Sequence, residues 1–265
     1  MHWAIDRWVS HFRLRRAALR FAEQGWSVTP GAWLEPAGDA APSRFECGRP
    51  GCVTSSCHPA LTHWDDDATS DPSRIEEWWQ DAPYSLLLAT GHGIEVIEVP
   101  ALLGARAVCG PVTGPGRPSV TGALRGPVAI TPQDRWMFFV RTGRDSPADT
   151  GLRPELERRE DVLCHARGSW VPLPPTRLRS GPVRWEVSPD DVGWQLPTSE
   201  LAQQALIAAM VALDASLLES RHARTVTPAA PAPSATVYPM TLRRGSRGPA
   251  RPTPETAMEF LRRAA

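Results

Sequence analysis

The sequence predicts an α+β (α/β) domain over residues 1–220, built from a mixed sheet flanked by helices, with a separate tail over 221–265. Two observations carry this prediction. The stretch 84–100 has the pattern of a buried strand, a tight glycine turn and a second, alternating strand. Amphipathic helical patterns stand on both sides of it, and from 221 the composition shifts to that of a flexible, basic linker.

Composition limits the classes of protein to which the chain can belong. The 265 residues are enough to bury a full core, and the formal net charge is zero, from 29 basic and 29 acidic residues. All the basic residues are Arg, whose planar fork suits phosphate, so neutrality does not exclude a nucleic-acid partner. No apolar run approaches the roughly 20 residues that span a bilayer, and no signal-like segment opens the chain. We therefore expect a cytoplasmic protein with no membrane partner.

The first third of the chain predicts two helices and a short strand. An imperfect apolar stripe indicates a helix over 3–24, which ends at Gly25 and leads into a strand over 26–30. Asp71 is a good N-cap and Pro72 suits the first helical position, which predicts a second helix as far as Trp79. Both helices have the apolar face of elements that pack on a sheet.

The loop 37–64 between these helices has the composition of a metal site. It contains three thiols and two imidazoles, from Cys47, Cys52, Cys57, His58 and His63. Five Cys in a cytoplasmic chain indicate free thiols or metal ligands, and this clustering is typical of structural zinc. Because the adjacent Cys57 and His58 could bind one ion together only with strain, the favoured ligands are the three Cys and His63. The alternative is three reduced thiols in a surface loop.

The alternating strand that follows the glycine turn carries the acids. Side chains of a strand point to opposite faces with period 2, so Val96, Glu98 and Pro100 share one face. Glu95, Ile97 and Val99 share the other face. An acid placed like Glu98, late on a strand flanked by buried ones, is costly unless it is solvated, paired or bound to metal.

The remaining elements follow in order. We expect a short helix over 102–108, a loop over 109–125 and a hairpin of two strands, 126–131 and 136–140. A helical turn over 154–159, a strand opening at Asp161, a strand over 181–185 and a helix over 199–218 complete the domain. The tail 221–265 has a net charge of +6, from eight Arg and two Glu, and Thr253 is placed to begin a short last helix.

The order of the motifs along the chain is more informative than any one of them. The acidic run Asp65-Asp-Asp67 is followed by Trp78-Trp79 and Thr90-Gly91, then by the apolar–acid strand, and later by Asp161 and Pro174-Pro175. From about Ala18 to Trp185 this order resembles the N-terminal domain of bacterial bifunctional DNA primase/polymerases, of the archaeo-eukaryotic primase superfamily. The resemblance implies template-directed nucleotidyl transfer with two divalent cations, Mg²⁺ or Mn²⁺, held by an acid-x-acid pair and a third acid.

The resemblance also assigns roles to individual residues. It places the first metal-binding acid at Glu98 and the third at Asp161, which are therefore the candidate catalytic residues. The second acid falls on Pro100, and a His that contacts nucleotide phosphates in the family falls on Trp136. Arg135 is the candidate for a remaining phosphate contact, with Arg141 as the alternative, because the spacing does not distinguish the two. Two family positions are therefore lost.

We accordingly expect weak or absent DNA synthesis with retained binding of nucleic acid or nucleotides. Two alternatives stay open. The first is a working primase/polymerase with a reduced site. The second is an interaction protein that uses the fold as a scaffold and its basic tail to contact a replication or plasmid-type protein.

Overall fold

The computed structural model describes residues 2–35, 43–109, 124–142 and 151–226. The helices in these ranges are α1 (His2–Glu23), α2 (Trp64–Asp67), α3 (Pro72–Asp81), α4 (Ala101–Cys109), α5 (Pro154–Glu157) and α6 (Ser199–Val226). The first seven strands are β1 (Val28–Gly31), β2 (Trp33–Glu35), β3 (Arg44–Glu46), β4 (Ser85–Ala89), β5 (Ile94–Pro100), β6 (Val128–Ile130) and β7 (Arg135–Arg141). They are followed by β8 (Leu163–His165), β9 (Trp170–Pro172), β10 (Arg177–Leu178), β11 (Gly181–Pro182) and β12 (Arg184–Val187).

The strands form two main sheets and two short hairpins. The larger sheet has the order β12-β6-β7-β5-β8, and a three-stranded sheet has the order β1-β4-β9. β2 pairs with β3, and β10 pairs with β11. β5 lies between β7 and β8, so the strand that carries the acids is inside the larger sheet.

The two faces of β5 enter two different cores. Val96 packs with Phe139 and with the side chains of α1 and β4 in the first core. Ile97 and Val99 pack with α4 and α6 in the second core. The period-2 assignment of faces is thus confirmed, because the side chains of one strand divide between two layers.

Local signals in the sequence predict several elements well. Asp71 accepts a hydrogen bond from the amide of Ser73 at 3.0 Å, and Pro72 begins α3 as expected. Every residue of β4 is buried, which confirms a strand covered on both faces. The hairpin of β6 and β7 forms with Asp134 at a positive φ of 55° in its turn.

The α+β class is confirmed, with one difference in detail. Each ladder that pairs the described strands is antiparallel, whereas the sequence predicts a mixed sheet. The connection 131–134 between β6 and β7 is too short for a parallel crossover, so these two strands pair antiparallel. Gly91–Gly93 instead leads from β4 in the three-stranded sheet to β5 in the larger sheet.

The helix α6 extends to Val226, beyond the expected end at residue 218. Its segment Ser199–Glu219 is long and apolar enough to cross a membrane by length and composition alone. Its buried apolar side chains, Ala202, Leu206 and Ala209, lie in the second core, whereas Leu201, Val211, Leu217 and Leu218 are exposed.

A compact unit spans Met1–His222, and α6 runs through the predicted boundary at residue 220. The prediction of a flexible basic tail concerns residues that, beyond α6, lie outside the described ranges. The same holds for the loop 110–123 and for the helix expected from Thr253.

Candidate functional site

Glu98 stands near the end of β5, with one residue directly opposite it on each neighbouring strand. Met137 of β7 and Leu163 of β8 are those residues, and directly paired residues share a face of the sheet. Met137 is fully buried in the first core, whereas Leu163 is 45% exposed. No second acid therefore flanks Glu98 on the adjoining strands, and on β5 itself the next residue of this face is Pro100.

Both carboxylate oxygens of Glu98 are held by nitrogen donors of the protein. Arg135 donates its Nε–H to Oε1 at 2.7 Å, and His165 donates its Nε2–H to Oε2 at 3.0 Å. The Glu98 side chain is only 16% exposed, so this contact is largely shielded from water. Burial alone would raise the pKa of Glu98, but the hydrogen bonds from His165 and Arg135 outweigh it and hold the pKa below its usual value.

Further contacts fix these two donors. Arg135 also donates from Nη2 to the main-chain oxygen of Asp161 at 2.8 Å, which joins β7 to the turn before β8. The Nδ1 atom of His165 lies 3.0 Å from the hydroxyl of Ser169. Arg135, the predicted phosphate-contacting residue, is therefore brought directly to Glu98, and His165 is an additional site residue.

Asp161 contributes its backbone, rather than its side chain, to this group. It lies in the turn before β8, and its carboxylate accepts hydrogen bonds from Nε and Nη2 of Arg159 at 2.8 and 2.7 Å. The hydrogen bonds from Arg159 also hold the pKa of Asp161 below its usual range. Glu98 and Asp161 thus have different partners, and a cation shared between them stays a prediction.

The structure places Trp136 on the other face of the sheet. It pairs with Val99, packs in the second core and is 8% exposed. A Cβ added to Gly104 of α4 would stand 2.5 Å from the indole, so the helix lies directly on the ring. Trp136 does not face Glu98, and the prediction that this position borders the phosphate site requires correction. On β7, the residue that reaches Glu98 is Arg135.

A cleft of about 770 Å³ opens beside Glu98. Its polar lining includes Arg135, His165, Gln133 and Arg179, with Ser55 and Ser56 of the cysteine-containing loop. Apolar and aromatic walls come from β9 and the first hairpin, including Phe45, Trp170 and Val171. The cleft therefore combines Arg side chains, hydroxyl groups and an aromatic surface.

The loop before α2 brings together a different set of metal-binding groups from the predicted one. The ligand atoms of Cys47, Cys52 and His58 all lie within 4.8 Å of one another. Cys57 instead lines the Glu98 cleft, where burial raises the pKa of its thiol to about 12. His63 is exposed and serves as the N-cap residue of α2. The predicted ligands Cys57 and His63 thus stand outside this group, and His58 takes the place expected for His63.

The thiols of this group lie in a polar environment. A hydrogen bond from the Thr54 backbone, followed by smaller contributions from Cys47 and His58, lowers the pKa of the exposed Cys52 to about 7. Arg49 lies beside Cys47 and Cys52, and its contact with Cys47 raises the pKa of its own guanidinium. Two sulfur donors and one imidazole are the ligand types that bind zinc, so this group could hold a metal ion.

The sequence patterns did not predict the roles of two histidines. His165 is 67 residues from Glu98 in the sequence. Its spacing of two residues from Leu163 on β8 is the one sequence pattern that places it on the same face of the sheet as Leu163. His58 was set aside because of its neighbour Cys57, but only His58 joins the thiols of Cys47 and Cys52, while Cys57 lines the Glu98 cleft. The two side chains therefore serve the two different sites that this loop separates.

Comparison with known proteins agrees with the fold. The family model of the bifunctional DNA primase/polymerase N-terminal domain matches residues 18–203. No curated protein matches the chain closely enough to count as a relative. The match covers the two main sheets, Glu98, Arg135, His165 and the Cys/His group. The chain therefore belongs to the family of bifunctional DNA primase/polymerase N-terminal domains.

Proposed function

We propose that this domain binds nucleic acid or nucleotide phosphates in the Glu98 cleft and does not carry out template-directed synthesis. One observation supports both parts of the proposal. Arg135 and His165 hold the two oxygens of Glu98, so side chains stand where metal-dependent chemistry would need divalent cations. The same side chains supply N–H donors that can meet phosphate oxygens.

The groups around Glu98 do not fit a pair of divalent cations. Two-metal phosphoryl transfer needs carboxylates that hold both ions and compensate their mutual repulsion. Here one carboxylate faces a guanidinium and an imidazole, and Leu163 and Pro100 occupy the nearest positions of the same face. A cation that approached Glu98 would have to displace Arg135 from a shielded hydrogen bond. Such bonds to charged groups contribute about 1.5–3 kcal/mol each.

The same cleft has the groups that bind a nucleotide without a metal. Arg135 and Arg179 can donate to phosphate oxygens, and Ser55, Ser56 and Gln133 can donate neutral hydrogen bonds. Trp170 lines the cleft with a half-buried ring on which a base can stack. Affinity from such contacts falls as salt rises, because phosphate binding releases counterions.

A pair of arginines on one strand tests this proposal. Arg135 and Arg141 stand at opposite ends of β7, and Arg141 does not line the cleft. Binding of a labelled single-stranded oligodeoxythymidylate to the full chain is measured by fluorescence anisotropy. Arg135→Ala should weaken it roughly tenfold or more, while Arg141→Ala should change it little. Equal effects of the two substitutions would show that the cleft is not the binding site.

The competing function is a non-enzymatic interaction protein that makes its contacts through the basic tail. Replacing Arg243, Arg244 and Arg247 together by Ala in the full chain distinguishes binding in the cleft from binding through the tail. If these substitutions abolish oligonucleotide binding and Arg135→Ala leaves it intact, the tail is the contact surface. The proposal expects the reverse order of effects.

The cofactors follow from the same donor sets. Mg²⁺ or Mn²⁺ is not required for binding under this proposal, because the nitrogen donors at Glu98 are part of the chain. The resident metal that we propose is a zinc ion at the Cys/His group, whose sulfur and imidazole donors suit zinc.

A further inference from the structure

We infer that Cys47, Cys52 and His58 bind one zinc ion, and that this ion holds the segment Cys52–His58 in place as a wall of the Glu98 cleft. The second half of this inference rests on the proposed function, since it concerns binding in the cleft. The first half stands on the donor geometry alone.

The distances between the donors suit a tetrahedral ion. Zinc binds sulfur at about 2.3 Å and imidazole nitrogen at about 2.0 Å, which sets the two donors roughly 3.5 Å apart. Sγ of Cys52 and Nε2 of His58 are 3.3 Å apart. Cys47 completes the group from a buried position directly after β3. Cys52 is exposed, so water can reach this group and could supply a fourth ligand.

The tautomer of His58 leaves the correct nitrogen available. Its Nδ1 atom lies 2.7 Å from the main-chain oxygen of Ser56. A carbonyl oxygen only accepts, so Nδ1 carries the proton and Nε2 presents its lone pair toward Cys52. Metal-binding histidines characteristically donate their second nitrogen to a carbonyl in this way, which fixes the ring.

The loop is anchored at its ends, and its tip has few backbone contacts. The oxygen of His58 accepts from the amide of Ala32 at 2.7 Å, and the amide of Ala60 donates to Pro30 at 2.8 Å. Between these anchors and β3, Val53 is 96% exposed. An ion that joins Cys47, Cys52 and His58 would therefore cross-link the two ends of an exposed excursion.

The cross-linked segment also forms part of the cleft. Ser55, Ser56 and Cys57 line it, and Nη2 of Arg179 donates to the oxygen of Ser55 at 3.0 Å. The ion would thus fix Ser55 and Ser56, and through Ser55 the position of Arg179. Loss of the ion should loosen these contacts and leave the hydrogen bond between Glu98 and Arg135 intact.

Four variants of the full chain test the ligand set. Zinc per chain is measured by elemental analysis after purification without chelator. The wild-type chain should hold about one zinc ion, which Cys52→Ser and His58→Ala should abolish. Cys57→Ser and His63→Ala should retain it, because these residues lie outside the group. Zinc that is absent from the wild-type protein, or lost with Cys57→Ser or His63→Ala instead, would overturn the assignment.

The coupling to the cleft is tested on Cys52→Ser, because Cys52 is exposed and its replacement should leave the fold intact. Hydrogen exchange of residues 48–57 should become faster in this variant, and affinity for oligodeoxythymidylate should fall roughly fivefold. Unchanged exchange and affinity after zinc loss would refute the coupling. If the wild-type protein does not bind the oligonucleotide, the proposed function fails, while zinc content and exchange still decide the structural role of the ion.

Discussion

Glu98 should favour phosphate binding in a metal-dependent site and oppose it in the site described here. In a two-metal enzyme this carboxylate holds a cation, so its removal abolishes binding of the nucleotide with its metal. In this structure it occupies Arg135 and His165, and its negative charge repels a phosphate that approaches the same donors. Neutralising Glu98 should therefore strengthen phosphate binding.

The expected size of the effect follows from the geometry. A phosphate on the far side of the Arg135 guanidinium would stand about 6 Å from the carboxylate. At an effective dielectric constant of about 20, two like unit charges repel there by roughly 3 kcal/mol. Screening by salt and water reduces this to about 1.5 kcal/mol, which corresponds to roughly tenfold tighter binding for Glu98→Gln. The variant loses charge-assisted hydrogen bonds and should also unfold more easily, by about 1–2 kcal/mol.

The assay is anisotropy of labelled oligodeoxythymidylate in buffer freed of divalent cations by a resin, which leaves bound zinc in place. Thermal unfolding confirms that each protein is folded at the assay temperature. Glu186→Gln is the matched control. Glu186 lies on the edge strand β12, so this substitution removes the same charge outside the cleft. Weaker binding by Glu98→Gln, or binding that requires added magnesium, would refute the reasoning.

Three further outcomes are expected. Arg135→Ala should reduce the slope of log affinity against log salt by about 1, since one phosphate contact is lost, as titrations at several salt concentrations will show. Trp136→His should lower the free energy of unfolding by about 2–4 kcal/mol in denaturant titrations, because the indole is packed against Gly104, and should restore no nucleotide incorporation. Burial raises the pKa of Glu95 above the value of an unfolded chain. The Glu95 carboxyl therefore costs no stability to ionisation while pH lies below the unfolded pKa, and it destabilises the fold increasingly as pH rises above that value. Glu95→Gln should therefore stabilise the protein at pH 7 but not at pH 4, as thermal unfolding at the two pH values will show; equal shifts at both would contradict this.

Local patterns predicted most of the secondary structure because they depend on neighbouring residues. The N-cap Asp71 with Pro72 needs only the first turn of a helix, and it was correct. The alternation along β5 assigned Val96 and Ile97 to the two faces that the structure confirms. The end of α6 was set too early, because the helix continues to Val226 through the mainly polar run 219–226, which contains no Gly or Pro.

The composition of the site was harder to predict, because it depends on contacts between distant strands. Period 2 placed Glu98 on the correct face, but only the register of β8 shows that Leu163 lies opposite it. Asp161 is drawn to Arg159, two residues away, in a local pairing that no strand pattern reveals. The alignment of a phosphate-contacting His with Trp136 does not fit the structure, in which this side chain lies on the face away from Glu98. A shift of one residue along a strand moves a side chain to the other side of the sheet.

A structure of the protein soaked with manganese and a nucleoside triphosphate tests the central claim most directly. We expect the triphosphate oxygens to contact Arg135 and Arg179, the Glu98 carboxylate to keep accepting hydrogen bonds from Arg135 and His165, and no anomalous peak for manganese at the Glu98 oxygens. Two manganese ions about 3.5–4 Å apart beside Glu98, with Arg135 displaced from it, would contradict the account.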